Sequence, residues 1–173
     1  MRLGLFGGTF DPIHLGHLRL ALELQEKYKF KSVRFIPCKN PVFKKKPLVS
    51  LKHRIAMLKL ATKNQAGFIV DESEKNRVGP SYMIDTLVNL KEEMPKEKFS
   101  LILGNDAFEH FAQWRCPDDI VTLAKLIVVS RDPQETLPIS STHIRKQIKT
   151  KKSPRYLVPD AVWQYIIKHG LYR

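Results

Sequence analysis

Residues 3–17 read Leu3-Gly4-Leu5-Phe6-Gly7-Gly8-Thr9-Phe10-Asp11-Pro12-Ile13-His14-Leu15-Gly16-His17, and the rest of the chain can be placed around them. Leu3 to Phe6 is a short apolar run, the pattern of a strand buried on both faces, and the Gly7-Gly8 pair ends it. Beyond the turn, Leu18, Ala21, Leu22 and Tyr28 recur at helical spacing, which predicts a helix with one apolar face. A glycine-rich turn between a buried strand and a helix is where an open α/β sheet docks a phosphate. Glycine lets the backbone approach a ligand closely. The free N–H groups at a helix start favour an anion.

The same alternation continues. Val33–Ile36, Phe68–Val70, Phe99–Leu103 and Leu126–Val129 are further short apolar runs. Between them lie helical patterns. One carries Leu51, Ile55, Leu58 and Thr62 behind a candidate cap at Ser50. Another carries Met83, Leu87, Leu90 and Met94, with Pro80 and Ser81 at its opening. A short one covers Ala107 to Phe111. Cys38 to Val49, rich in Lys and Pro, reads as a loop. So does Asp71 to Pro80, where Asp71, Glu74 and Arg77 read as exposed charges. Ser140 to Lys149 is a further helix. The last one has Pro159 at its start, Lys168 and His169 in its last turn and Gly170 past its end. Short apolar strands alternating with helices predict an α/β, doubly wound (Rossmann-like) parallel sheet with helices on both faces. Residues 1–173 suit one domain, with a small helical C-terminal part from about residue 140.

The 30 Lys and Arg residues against 17 Asp and Glu give a formal net charge of +13, which favours polyanionic partners. Nucleotides, nucleic acids and anionic membranes all qualify on charge alone. No helix-turn-helix, zinc-finger or RNA-recognition signature is present, so a nucleic-acid partner is not expected. No apolar run approaches the ~20 residues that span a bilayer, and the N-terminus lacks a signal peptide's apolar core, so no membrane association is expected. Two cysteines, Cys38 and Cys116, are too few for a disulfide framework. A reducing cytoplasm is the expected location.

His14 and His17 stand three residues apart and can face one side of the first helical turn. Two imidazoles there can donate to phosphate oxygens. A metal pair is the lesser reading, because no third ligand lies at a suitable local spacing, and either His alone also fits a capped surface residue. Neither is expected in the apolar core.

The string Gly7 to His17 resembles the nucleotidyltransferase superfamily signature. Gly79-Pro80-Ser81-Tyr82-Met83-Ile84-Asp85-Thr86-Leu87, Leu103-Gly104-Asn105-Asp106, Trp114, Ile139-Ser140-Ser141-Thr142-His143-Ile144-Arg145 and the stretch from Tyr156 to Tyr172 are similar to bacterial nicotinate-nucleotide adenylyltransferases. The resemblance runs over essentially the whole chain, in order. It implies transfer of the adenylyl group of ATP to nicotinic acid mononucleotide, giving the dinucleotide and pyrophosphate in NAD biosynthesis, with Mg²⁺ bound to ATP and no metal site of the protein's own. It implies that His14 and His17 hold the ATP phosphates with Gly7, Gly8, Thr9 and Phe10 around them. It further implies that Ser141 and Arg145 contact the triphosphate and that Ile139 lies near the adenine. Asp106, beside Gly104, would accept from a ribose. Trp114 would stack on the pyridine, and Thr86 with Tyr82 and Met83 would bound its pocket. Two positions depart from the family pattern. Phe43 stands where a His is common and cannot donate, which leaves the following Lys44 as the candidate phosphate contact and catalytic cation of that loop. Met83 stands where Thr is usual. The same reaction on nicotinamide mononucleotide or phosphopantetheine is the near alternative. A basic nucleic-acid-binding module is the distant one.

Overall fold

The computed structural model describes residues 2–43, 45–129 and 139–173. Five strands form one parallel sheet: β1 (Arg2–Gly8), β2 (Ser32–Pro37), β3 (Phe68–Val70), β4 (Lys98–Gly104) and β5 (Ala124–Val129), in the order β3-β2-β1-β4-β5. Seven helices are described: α1 (Leu15–Tyr28), α2 (Leu51–Thr62), α3 (Met83–Glu93), α4 (Asn105–Phe108), α5 (Pro117–Leu123), α6 (Ser141–Lys149) and α7 (Asp160–Lys168). This is the α/β, Rossmann-like sheet that the alternating runs predict.

Register explains why the strands read as unbroken apolar runs. Phe35, Phe6, Ile102 and Ile127 stand side by side across four strands and point to one face. There they meet Ala21 and Leu24 of α1, Met57 and Leu58 of α2, Ile144 of α6 and Val162 of α7. Leu3, Phe99 and Ala124 form a neighbouring row on the opposite face, packed with Leu87 and Leu90 of α3 and Ile120 of α5. The three central strands, β2, β1 and β4, are therefore buried on both sides, and the period-2 signal vanishes there.

Most differences from the sequence reading are at element ends. Gly7 and Gly8 do not terminate β1 but continue its ladder, opposite Ile36 and Pro37. On α1, Leu24 is buried and Leu22 only half-buried, which rotates the apolar face slightly from the expected one. The helix expected over Ala107 to Phe111 begins earlier, as α4 over Asn105–Phe108, and is followed by a 3₁₀ turn at Phe111–Gln113. Helix α5 has no counterpart in the sequence reading.

The chain runs outward from β1 to β3, then crosses to the other side of β1 for β4 and β5. The carboxyl ends of β1 and β4 are thus the point where strand order reverses, the place where open α/β sheets bind ligands.

Candidate active site

A cavity of about 630 Å³ opens at that point. Its floor is the loop from β1 to α1. Gly8 is required there by contact, because a Cβ would sit 2.9 Å from Cζ of Phe10. Phe10 adopts a left-handed backbone (φ 48°) and buries its ring between Phe6 and Phe35, at centroid distances of 5.6 and 5.8 Å. The side chain that resemblance places at ATP is thus mostly core, and Phe10 offers the cavity little beyond its edge and backbone.

His14 is the N-cap residue of α1, and its ring stacks on His17 at 3.6 Å with 23° between planes. Both rings line the cavity, on one side of the first turn as the spacing implies. Gly16 makes room for the pair, since a Cβ there would approach Nδ1 of His14 to 3.2 Å. One expectation fails. His14 is only 2% exposed, while His17 is half-buried and meets the Phe10 ring in a T-shaped contact at 5.1 Å. The tight turn at Asp11–Ile13, itself buried, draws His14 inward.

Four distant segments fix this loop. Arg54, on α2, is 1% exposed. Its Nη1 donates to the carbonyls of Thr9 (2.7 Å) and Cys38 (2.8 Å), and its Nε to Val49 O (3.3 Å). Burial pushes its pKa below the ordinary arginine value, and the nearby Asp11 charge opposes that shift. Asp11 accepts from Leu48 N–H at Oδ2 and from the Tyr172 hydroxyl at Oδ1, both at 2.7 Å. From α6, Arg145 donates to the Asp11 carbonyl (2.7 Å) and the Ser141 hydroxyl to the Pro12 carbonyl (2.8 Å). Ser141 and Arg145 both line the cavity. With its hydroxyl engaged, Ser141 presents mainly its main chain to a ligand. Ile139 does not line this cavity. It sits over Gly16 in an adjoining hollow of about 550 Å³ that shares His14 and His17.

Phe43, Lys45 and Lys46 line the rim in the loop after β2, while Lys44 lies outside the described residues. Across the cavity stand Tyr82, Met83, Thr86, Gly104, Asp106 and Trp114. Tyr82 is the N-cap residue of α3, so Pro80 and Ser81 precede the helix rather than open it. The N–H of Ser81 is taken by Asn40 O at 3.0 Å, because this loop is stitched to the end of β2. Trp114 is half-buried beside Phe111, with 5.5 Å between ring centroids. Asp106 is exposed in the first turn of α4, whose N-cap is Gly104.

The charged loop at 71–77 is the main correction. Asp71 and Glu74 are buried, 5% and 2% exposed. Asp71 pairs with Arg34 on β2 at 2.9 Å. Glu74 forms an ion pair with Arg77 (2.7 Å), accepts from the Thr86 hydroxyl (3.1 Å) and from Ser81, and lines the cavity. Arg77 in turn reaches Asp85 (3.1 Å) and Thr86 (2.9 Å). A 3₁₀ turn at Ser73–Asn76 places Glu74 and Arg77 on one side, so the network braces the start of α3. The Glu-x-x-Arg spacing was the available signal. Burial also raises the Cys38 thiol pKa, with a hydrogen bond to Ser81 acting against it.

Among the described residues no group of three or more His, Cys, Asp and Glu could hold a metal ion, and no helix is long and apolar enough to cross a membrane.

A Rossmann-like sheet with a Gly-Gly loop and a histidine pair at its switch point defines a nucleotidyltransferase-type site, and residues 5–147 match the cytidylyltransferase-like family model. A probable nicotinate-nucleotide adenylyltransferase of Hahella chejuensis is 37% identical over 97% of this chain and 94% of its own length. One of Dictyoglomus thermophilum is 39% identical over 99% and 100%. A solved Plasmodium falciparum nicotinic acid mononucleotide adenylyltransferase complexed with NaAD shares the fold, with a TM-score of 0.75 at 19% identity over 99% of this chain and 97% of that one. The chain belongs to the cytidylyltransferase-like family and, within it, to the nicotinate-nucleotide adenylyltransferases.

Proposed function

We propose that this chain transfers the adenylyl group of ATP to nicotinic acid mononucleotide, forming nicotinic acid adenine dinucleotide and pyrophosphate in NAD biosynthesis. The observation that carries the reading is one continuous cavity walled by two chemically different sets of residues. Imidazoles, a guanidinium and lysines stand on one side, an indole and the start of α3 on the other. A triphosphate suits the first set, a flat ring on a ribose phosphate the second.

The 5′-phosphate oxygen of the mononucleotide attacks the α-phosphorus of ATP in line. A P–O bond forms there as the bond to the β-phosphate oxygen breaks, and the electron pair leaves with pyrophosphate. Both reactants are polyanions, so catalysis is chiefly positioning and charge neutralisation. His17, with His14 stacked behind it, donates to the phosphates. Arg145, held by the Asp11 carbonyl, stabilises the charge that shifts toward pyrophosphate. Lys45 and Lys46 act at the rim, and Lys44, next to them in sequence, is the proposed phosphate contact of that loop. Mg²⁺ enters with ATP as part of the substrate, because Mg²⁺ keeps waters and phosphate ligands readily and Asp11, the carboxylate of the loop itself, is already engaged at both oxygens. Adenine lies toward Ile139, the pyridine against Trp114, and the acceptor ribose at Asp106. A cytoplasmic location is part of the reading, and the two free cysteines support it.

The test is pyrophosphate release from Mg-ATP with nicotinic acid mononucleotide, nicotinamide mononucleotide or phosphopantetheine in turn. The expected result is a kcat/KM at least roughly 10-fold higher for the nicotinate compound, about 1.4 kcal/mol of differential transition-state binding. Faster turnover of either other acceptor would refute it.

A further inference from the structure

We propose that the side chain of Arg115 is a specificity-determining residue, its guanidinium pairing with the carboxylate on the acceptor's pyridine ring. The inference rests on the acceptor assignment above and deepens it. Nicotinate and nicotinamide mononucleotides share ring, ribose and phosphate. They differ where one carries a carboxylate and the other a neutral amide, so a residue that tells them apart must respond to charge.

Most cations lining the cavity are on the phosphate side: His14, His17 and Arg145 around the β1–α1 loop, and Lys45 and Lys46 at the rim. Among the described residues, the acceptor side has His110 and Arg115. Of these, Arg115 carries a permanent charge and a planar fork that fits a carboxylate through two parallel N–H···O bonds. It directly follows Trp114, the proposed stacking platform, so its reach covers the edge of a ring lying on that indole. Its guanidinium is already turned across the pocket, 5.1 Å from the centroid of the Tyr82 ring. Tyr82 is also the N-cap residue of α3, where the helix dipole adds positive potential.

The surroundings favour such a cation. The carboxylates lining the acceptor side are Glu74 and Asp106. Glu74 is paired with Arg77, whose charge is shared with Asp85. The Arg77 charge is thus already engaged, and a further cation facing an incoming carboxylate favours its binding. Arg115 supplies that charge from an exposed position, without the cost of burying it.

The experiment measures kcat/KM for both mononucleotides in the wild type and in Arg115→Ala, Arg115→Lys and Arg115→Glu. The nicotinate-to-nicotinamide ratio should fall about tenfold in Arg115→Ala, the size of one partly exposed charge-assisted pair. It should fall further in Arg115→Glu and less in Arg115→Lys, which keeps the charge and loses the fork. In the wild type, added salt should raise KM for the nicotinate compound more than for the nicotinamide one, and Arg115→Ala should remove that difference. A ratio within twofold of wild type in both Arg115→Ala and Arg115→Glu overturns the proposal, and so does a parallel loss with both acceptors. A wild-type enzyme that leaves nicotinic acid mononucleotide unreacted overturns the acceptor assignment itself, a result distinct from an unmoved ratio.

Discussion

Replacing Arg54 by Met separates the support of the phosphate loop from its chemistry. The guanidinium makes two short bonds from one nitrogen, to Thr9 O and Cys38 O, and a longer one to Val49 O. Charge-assisted bonds of this kind contribute about 1.5–3 kcal/mol each, so the two short ones together account for roughly 3–6 kcal/mol. Against that, Met removes a buried charge whose desolvation opposes folding, and its chain fills most of the space, which limits the cavity term. The net loss should be about 3 kcal/mol. For a chain of this length, Tm should then fall by about 6–12 °C. Because Thr9 belongs to the loop that holds the histidines, kcat/KM should also fall at temperatures where the variant remains folded. Thermal unfolding followed by circular dichroism, with pyrophosphate release measured well below Tm, reads both effects. Arg54→Lys, which keeps the charge but is shorter and lacks the separate Nε donor to Val49 O, should recover part of each. A Tm within about 2 °C of wild type and an unchanged kcat/KM for Arg54→Met would refute the reasoning.

His17→Ala should lower kcat roughly 100-fold with little change in Tm, as loss of one preorganised donor does; wild-type turnover would remove His17 from the mechanism. His14→Ala should show the same loss of turnover and, because the ring is buried, a destabilisation of about 2 kcal/mol in denaturant unfolding. Equal stability of the two variants would contradict the difference in burial. Arg145→Ala should raise KM for ATP more than KM for the mononucleotide, and unchanged ATP kinetics would return Arg145 to a purely structural role. Burial, then the Asp11 charge and hydrogen bond, push the Tyr172 phenol pKa far above its ordinary value of 10.0. The folded state therefore holds that proton more tightly than the unfolded one, and the stability this contributes is intact below pH ~10 and lost as pH rises above it. Tyr172→Phe should show a shallower alkaline decline in unfolding free energy, and a decline as steep as wild type would refute the assignment.

The parts legible in the sequence are those whose signal is local. Short apolar runs announced strands buried on both faces, Ser50 and Pro159 marked helix starts, and the histidine spacing put two rings on one side of a turn. The missed parts depend on what arrives from elsewhere in the chain. Helix α5 has seven residues and a single buried side chain, Ile120, too few to show a period. Its signals were Pro117 at the start and two aspartates in the first turn. Asp71, Glu74 and Arg77 look solvated in sequence, and only the convergence of β2, the 3₁₀ turn and α3 buries them. Arg54 falls on a helix whose apolar face was read correctly, but its burial follows from two carbonyls at the strand ends that no periodicity reveals.

The phosphate loop occupies residues 7–17, yet the side chains that hold it come from far along the chain. Ser141 reaches Pro12 across 129 positions, Arg145 reaches Asp11 across 134, and Tyr172 reaches Asp11 across 161. Contacts this distant form only after large loops have closed, and such closure is the slow part of building a parallel sheet. The loop at residues 7–17 is therefore among the last parts of this chain to acquire its working shape. Nucleotide affinity becomes a reporter of completed folding: a chain stalled before α6 holds the whole glycine-histidine motif and β1 to β5, and should still fail to retain ATP.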